Sequence, residues 1–146
     1  MRNQFLSLRQ ASKGFTLIQL LVWVLIASAV FGGFFYLLNS EHAKTRDAKR
    51  LADMSRVQAA FEFLFAQNAS FAKAADGGCN TVGVHVNLCK LSSVIPDIAT
   101  LSDPGSFSYV VSRVPDDEGY QVTFQLERSY GNLKAGAHAI SQDGFQ

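Results

Sequence analysis

The side chains capable of chemistry are few and scattered. His42, His85 and His138 are each more than forty residues from the next, so they form no metal-ligand spacing. Cys79 and Cys89 lack the Cys-x-x-Cys spacing of zinc or dithiol redox sites. No serine sits in a Gly-x-Ser-x-Gly elbow. Asp116, Asp117 and Glu118 are adjacent carboxylates between Pro115 and Gly119, where a solvated turn is expected ahead of a metal site. Asp143 alone is weak support for a calcium loop, and Asn68-Ala69-Ser70 fits the glycosylation tripeptide, a pattern short enough to arise by chance. The expectation is a protein without catalytic residues, metal or cofactor.

Charge excludes another class. The formal net charge is +1, which gives no global electrostatic attraction to nucleic acid. Residues 1–14 carry Arg2, Arg9 and Lys13 and no acid, so +1 less +3 leaves the remainder at −2. Basic residues beside an apolar segment favour the cytoplasmic face of a membrane. The cysteines read differently by compartment: free thiols in a reducing cytosol, one disulfide in an exported domain. Such a bridge, closing a loop of about ten residues, stabilises by roughly 2.5–3 kcal/mol.

The elements that would position these groups begin with an apolar run. Phe15 to Leu38 contains no charged residue over 24 positions. As a helix it would be about 36 Å long, against a hydrocarbon core of roughly 30 Å. A buried core helix rarely lacks charge for so long, and a secretory signal has a shorter apolar region followed by a small-residue cleavage site. A membrane segment is therefore expected.

From Ser40 to Gln67 there is neither Pro nor Gly, and Leu51, Met54, Val57, Phe61, Leu64 and Phe65 recur at spacings of three and four. The charges at Glu41, Lys44, Arg46, Asp47, Lys49, Arg50 and Asp53 read as a solvated helix surface. With no breaker between the two segments, one helix is expected from about Phe15 to Gln67, apolar all round in its first half and amphipathic in its second. Gly32 and Gly33 each cost about 1 kcal/mol relative to Ala in a helix interior. They suit either close helix packing or a place where the helix can stretch.

Past Phe71 the chain turns loop-like, with turns at Pro96 and Asp103-Pro104-Gly105. Phe107, Tyr109 and Val111 share one face of a strand; Tyr120, Val122, Phe124 and Leu126 alternate with polar residues in the next. Residues 115–119 suit the hairpin between them, and a weaker strand is expected from Ala135 to Ile140. The fold class is α+β: a long N-terminal helix packed on a small antiparallel sheet through the Leu51-to-Phe65 stripe.

The junction Lys13-Gly14-Phe15-Thr16-Leu17-Ile18-Gln19-Leu20-Leu21 resembles the processing site of type IV pilins and type II secretion pseudopilins. Their signature is a basic leader, Gly, then Phe-Thr-Leu-(Ile/Val)-Glu-Leu. Arg46 to Leu51, Asn68-Ala69-Ser70-Phe71 and Asp103-Pro104-Gly105 also resemble segments of pseudopilins. The resemblance implies cleavage between Gly14 and Phe15 by a prepilin peptidase and N-methylation of Phe15. It divides the chain into a cytoplasmic leader, 1–14, removed; an apolar assembly half, 15–38; and an exported globular domain, 39–146. The implied partners are the peptidase, other pilin or pseudopilin subunits, and membrane lipid before assembly. The implied location is the inner membrane, single-pass, then an extracellular or periplasmic filament.

One position departs from the family. Its fifth mature residue is usually Glu, thought to pair with a neighbouring N-terminal amine, and here it is Gln19. A minor or tip-located subunit accommodates that change. The competing reading is a single-pass membrane protein whose exported domain binds a ligand without polymerising.

Overall fold

The computed structural model describes residues 16–76 and 78–146. A single helix, α1, runs Leu17–Asn68, and two compact units divide the chain between Asn39 and Ser40. In the first unit every described residue is exposed, and α1 stays helical through Gly32 and Gly33. By length and composition this helix can cross a membrane.

In the second unit, the absence of Pro and Gly carries α1 to Asn68. The helix ends at Ala69, whose amide donates to Phe65 O at 2.7 Å from a left-handed conformation, φ 52°. Three short 3₁₀ turns follow at Ala72–Ala75, Val86–Leu88 and Ile98–Thr100. Then comes an antiparallel sheet ordered β1 (Val110–Arg113), β2 (Gln121–Leu126), β3 (Gly136–Ser141) and β4 (Gly144–Phe145). The β1–β2 register sets Val111 opposite Val122, with an irregularity between Val111 and Arg113. The β2–β3 register runs from Gln121↔Ser141 to Leu126↔Gly136.

The hairpin between β1 and β2 closes on Asp116, whose Oδ1 accepts from the amides of Glu118 and Gly119, both at 2.8 Å. These two amides, Gly119 foremost, hold the Asp116 carboxyl below its ordinary range. The outer edge of β1 is paired by the segment after the first cysteine: Val111 N donates to Val84 O and Gly83 N to Val111 O, both at 2.8 Å. That pairing removes an open edge.

Met54, Val57 and Phe61 are fully buried beneath Val111, Tyr120, Val122, Phe124, Leu126 and Ile140. The Phe61 ring stacks on Tyr120 with centroids 3.8 Å apart. Two members of the expected stripe sit at its margin: Leu51 is half-buried, and Phe65 is 38% exposed while stacking on Phe71.

Candidate functional site

Gly14 and Phe15 lie outside the described residues. The described part of the junction starts at Thr16, whose hydroxyl accepts from Gln19 N at 3.4 Å and whose carbonyl accepts from Leu20 N at 3.2 Å. Thr16 thus satisfies amides that a helix start leaves without partners. Gln19 is exposed in the first turn of α1, amid Leu17, Ile18 and Leu20, which are 82%, 72% and 60% exposed. A Cβ added at Gly32 or Gly33 meets nothing within 4 Å. Neither glycine is therefore needed for packing within this chain.

Cys79 and Cys89 form a disulfide, Cα atoms 4.6 Å apart, and both are buried in the core. Gly78 permits the loop to close, because a Cβ there would lie 1.6 Å from the Leu88 carbonyl oxygen.

The charged turns preceding the stripe correct the sequence reading. Asp47, Arg50 and Asp53 are not solvated: they are 1%, 0% and 5% exposed. Arg50 donates from Nη1 to Asp47 Oδ1 at 2.7 Å and to Glu127 Oε1 at 2.8 Å. It grips Asp103 in a fork, Nε to Oδ2 at 2.5 Å and Nη2 to Oδ1 at 2.9 Å. The Phe107 ring covers the guanidinium, 4.9 Å from Cζ to centroid. Arg46 holds Glu127 through Nε at 2.7 Å and through Nη2. Asp47 also accepts from the amides of Glu127 at 3.0 Å and Arg128 at 2.9 Å, fixing the chain after β2 to the helix. Asp53 Oδ2 accepts from Tyr109 Oη at 3.0 Å and Lys49 Nζ at 3.2 Å.

Electrostatics follow from this geometry. Hydrogen bonds from Arg46, aided by Arg50 and opposed by partial burial, lower the Glu127 carboxyl to about 2. Burial pushes the Asp103 carboxyl up, but Arg50 and the Gly105 amide outweigh it and leave it below the usual range. The Arg50 guanidinium is raised, first by Asp103, against the pull of its own burial. Burial, then the Asp53 charge, raises the Tyr109 hydroxyl. Among the described residues no buried polar side-chain atom lacks a partner. Each carboxylate in the cluster contacts an arginine or a lysine, which makes the cluster a strut between the helix and the chain that follows it.

The histidines stay apart. His42 is exposed, His85 pairs with Val110 beside β1, and His138 places its ring nitrogens 2.7 Å from Lys134 O and 3.1 Å from Gln146 O. Among the described residues no three His, Cys, Asp or Glu side chains gather as a metal group. A cleft of about 320 Å³ is lined by His85, Asn87, Asp103, Phe107 and Tyr109, with Asp103 and Tyr109 already committed to Arg50 and Asp53.

Compared with protein-family models, curated proteins and solved structures, the chain matches none.

Sequence reasoning missed the Arg50 cluster because Asp103 and Glu127 lie 53 and 77 residues away. A signal was present. Asp47 and Arg50 continue the three-and-four spacing of Met54, Val57 and Phe61, so they belong to the buried stripe by position.

Proposed function

We propose that this chain is a structural, non-enzymatic subunit of a type IV pilus or pseudopilus, cut by a prepilin peptidase between Gly14 and Phe15 and methylated on Phe15. It then stacks with other pilin or pseudopilin subunits through its apolar half. What carries the reading is the Gly14-Phe15 junction standing directly before a helix whose residues 17–38 are all exposed and uncharged. Such a surface requires lipid or other apolar helices around it. Cleavage before the apolar run keeps the run in the product as an anchor; cleavage after it would discard it. Gln19 makes this a minor subunit, because a neutral amide cannot compensate a neighbouring ammonium in an apolar filament core.

The decisive experiment is mass spectrometry of the N-terminal peptide of membrane-fraction protein from a host with a prepilin peptidase. The expected peptide begins at N-methylated Phe15. A terminus at Met1 would exclude the pilin reading and leave a single-pass membrane protein with an exported domain.

A further inference from the structure

The domain from Ser40 onward is polarised along its helix. At one end, Arg128 donates from Nη1 to Ser40 Oγ, and its amide is fixed to Asp47 at 2.9 Å. The chain then makes a tight turn, Tyr130 N to Leu133 O at 2.8 Å and Leu133 N to Tyr130 O at 3.0 Å, with Gly131 at φ 57°. Leu133 packs on the core, while Tyr130 is 53% exposed and Arg128 and Lys134 carry their charges at the surface of the turn. Glu41 pairs with Lys44 at 2.7 Å and also feels the Arg128 charge, while Lys134 is exposed and has no ion-pair partner among the described residues. At the other end, Ser70 Oγ donates to Asp117 and Phe71 N to Asp116 O, setting the acidic turn 116–118 beside the helix terminus. From Ser40 to Asn68 that is about 42 Å along the axis.

We infer that the Arg128–Lys134 turn is a docking surface for phospholipid headgroups, held against the bilayer by the anchoring proposed above, on which this inference rests. Chain connectivity alone sets the distance. Ser40 lies two residues past Leu38, the end of the apolar run, which is about 3 Å along a helix. The headgroup layer is about 5–7 Å deep on each side of the hydrocarbon core. Arg128, bonded to Ser40, therefore reaches that layer. Tyr130 presents an amphipathic ring of the kind that collects there, and the two cations match lipid phosphate. The turn 116–118, still net negative with Arg113 paired to Asp116 and Glu118, belongs to the opposite end of the same helix segment. The dock gives a use for the pinning of a polar turn to the helix by Asp47, which keeps Arg128 beside Ser40.

Full-length protein in phosphatidylcholine–phosphatidylglycerol vesicles tests this, because Trp23 is the one tryptophan. In a Trp23→Phe background, the indole introduced by Tyr130→Trp should be quenched by headgroup-level spin-labelled lipid. The indole introduced by Phe63→Trp, about 35 Å beyond Ser40, should not. Adding Arg128→Gln and Lys134→Gln should lower the ratio of lipid-contacting to non-contacting turn by about fivefold per charge removed. Asn132→Trp on the same exposed turn serves if Tyr130→Trp does not fold. A Tyr130→Trp variant as unquenched as the Phe63→Trp variant, in a protein whose native Trp23 is quenched by acyl-chain label, overturns the dock and keeps the anchor. An unquenched Trp23 overturns the anchor and the dock together. Quenching of the Tyr130→Trp variant that ignores both glutamine substitutions overturns recognition by the basic pair.

Discussion

At Arg50, four hydrogen bonds to three carboxylates replace the water that burial removes. Truncating the guanidinium leaves Asp47 and Asp103 without their counter-charge in a site closed to solvent, the costly way to break an ion cluster. Arg50→Met should therefore destabilise the domain by about 3–5 kcal/mol in urea titrations of detergent-solubilised protein. Arg56→Met is the control. Its partner Asp97 is 58% exposed, and loss of such a surface pair should cost no more than about 1 kcal/mol. Equal costs would show that burial of the cluster is not what holds the fold.

The same cluster sets an acid limit. Glu127 and Asp103 are more acidic in the folded protein than in the unfolded chain, so folding releases protons from them. Glu127's contribution is complete above its ordinary value of 4.5 and is lost as the pH falls toward about 2. The urea midpoint should drop through that window, and Glu127→Gln should flatten the drop. An unchanged acid limb in the variant would assign it to other carboxylates.

Among the elements, the end of α1 carries the clearest local strain. Ala69 occupies the left-handed position where glycine is usual, and the conformation costs a residue with a Cβ about 1–2 kcal/mol. Ala69→Gly should raise stability by about 1 kcal/mol, offset in part by the freer unfolded chain. Thermal unfolding followed by circular dichroism would show an upward shift, and a downward shift would mean that the Ala69 methyl packs usefully. Gly78 shows the reverse dependence, since the disulfide loop has no room for a Cβ against Leu88.

For the whole molecule, the prediction concerns assembly. If apolar halves stack, each mature N-terminal amine needs a partner inside the filament, and a carboxylate forms a bond roughly twice as strong as a neutral group does. Gln19→Glu should then increase the amount of this protein in sheared filaments when it is expressed without other pilins. Abundant fibres from the wild type, with no gain from the Glu variant, would count against the minor-subunit assignment.

Local rules were enough to read much of this protein from its residues. An uninterrupted run without Pro or Gly after Ser40 specifies one continuing helix, strict alternation from Tyr120 to Leu126 specifies a half-buried strand, and Pro115 to Gly119 specifies the hairpin turn. Each depends on neighbours a few positions away, so periodicity suffices. Tertiary structure decided what lies far apart in the chain: Arg50 against Asp103 and Glu127, residues 83–86 against β1, and the short β4 against β3. A helical stripe reveals which side chains share a face, but only folding determines what covers it. Where the cover supplies carboxylates, an arginine expected in water becomes part of the core.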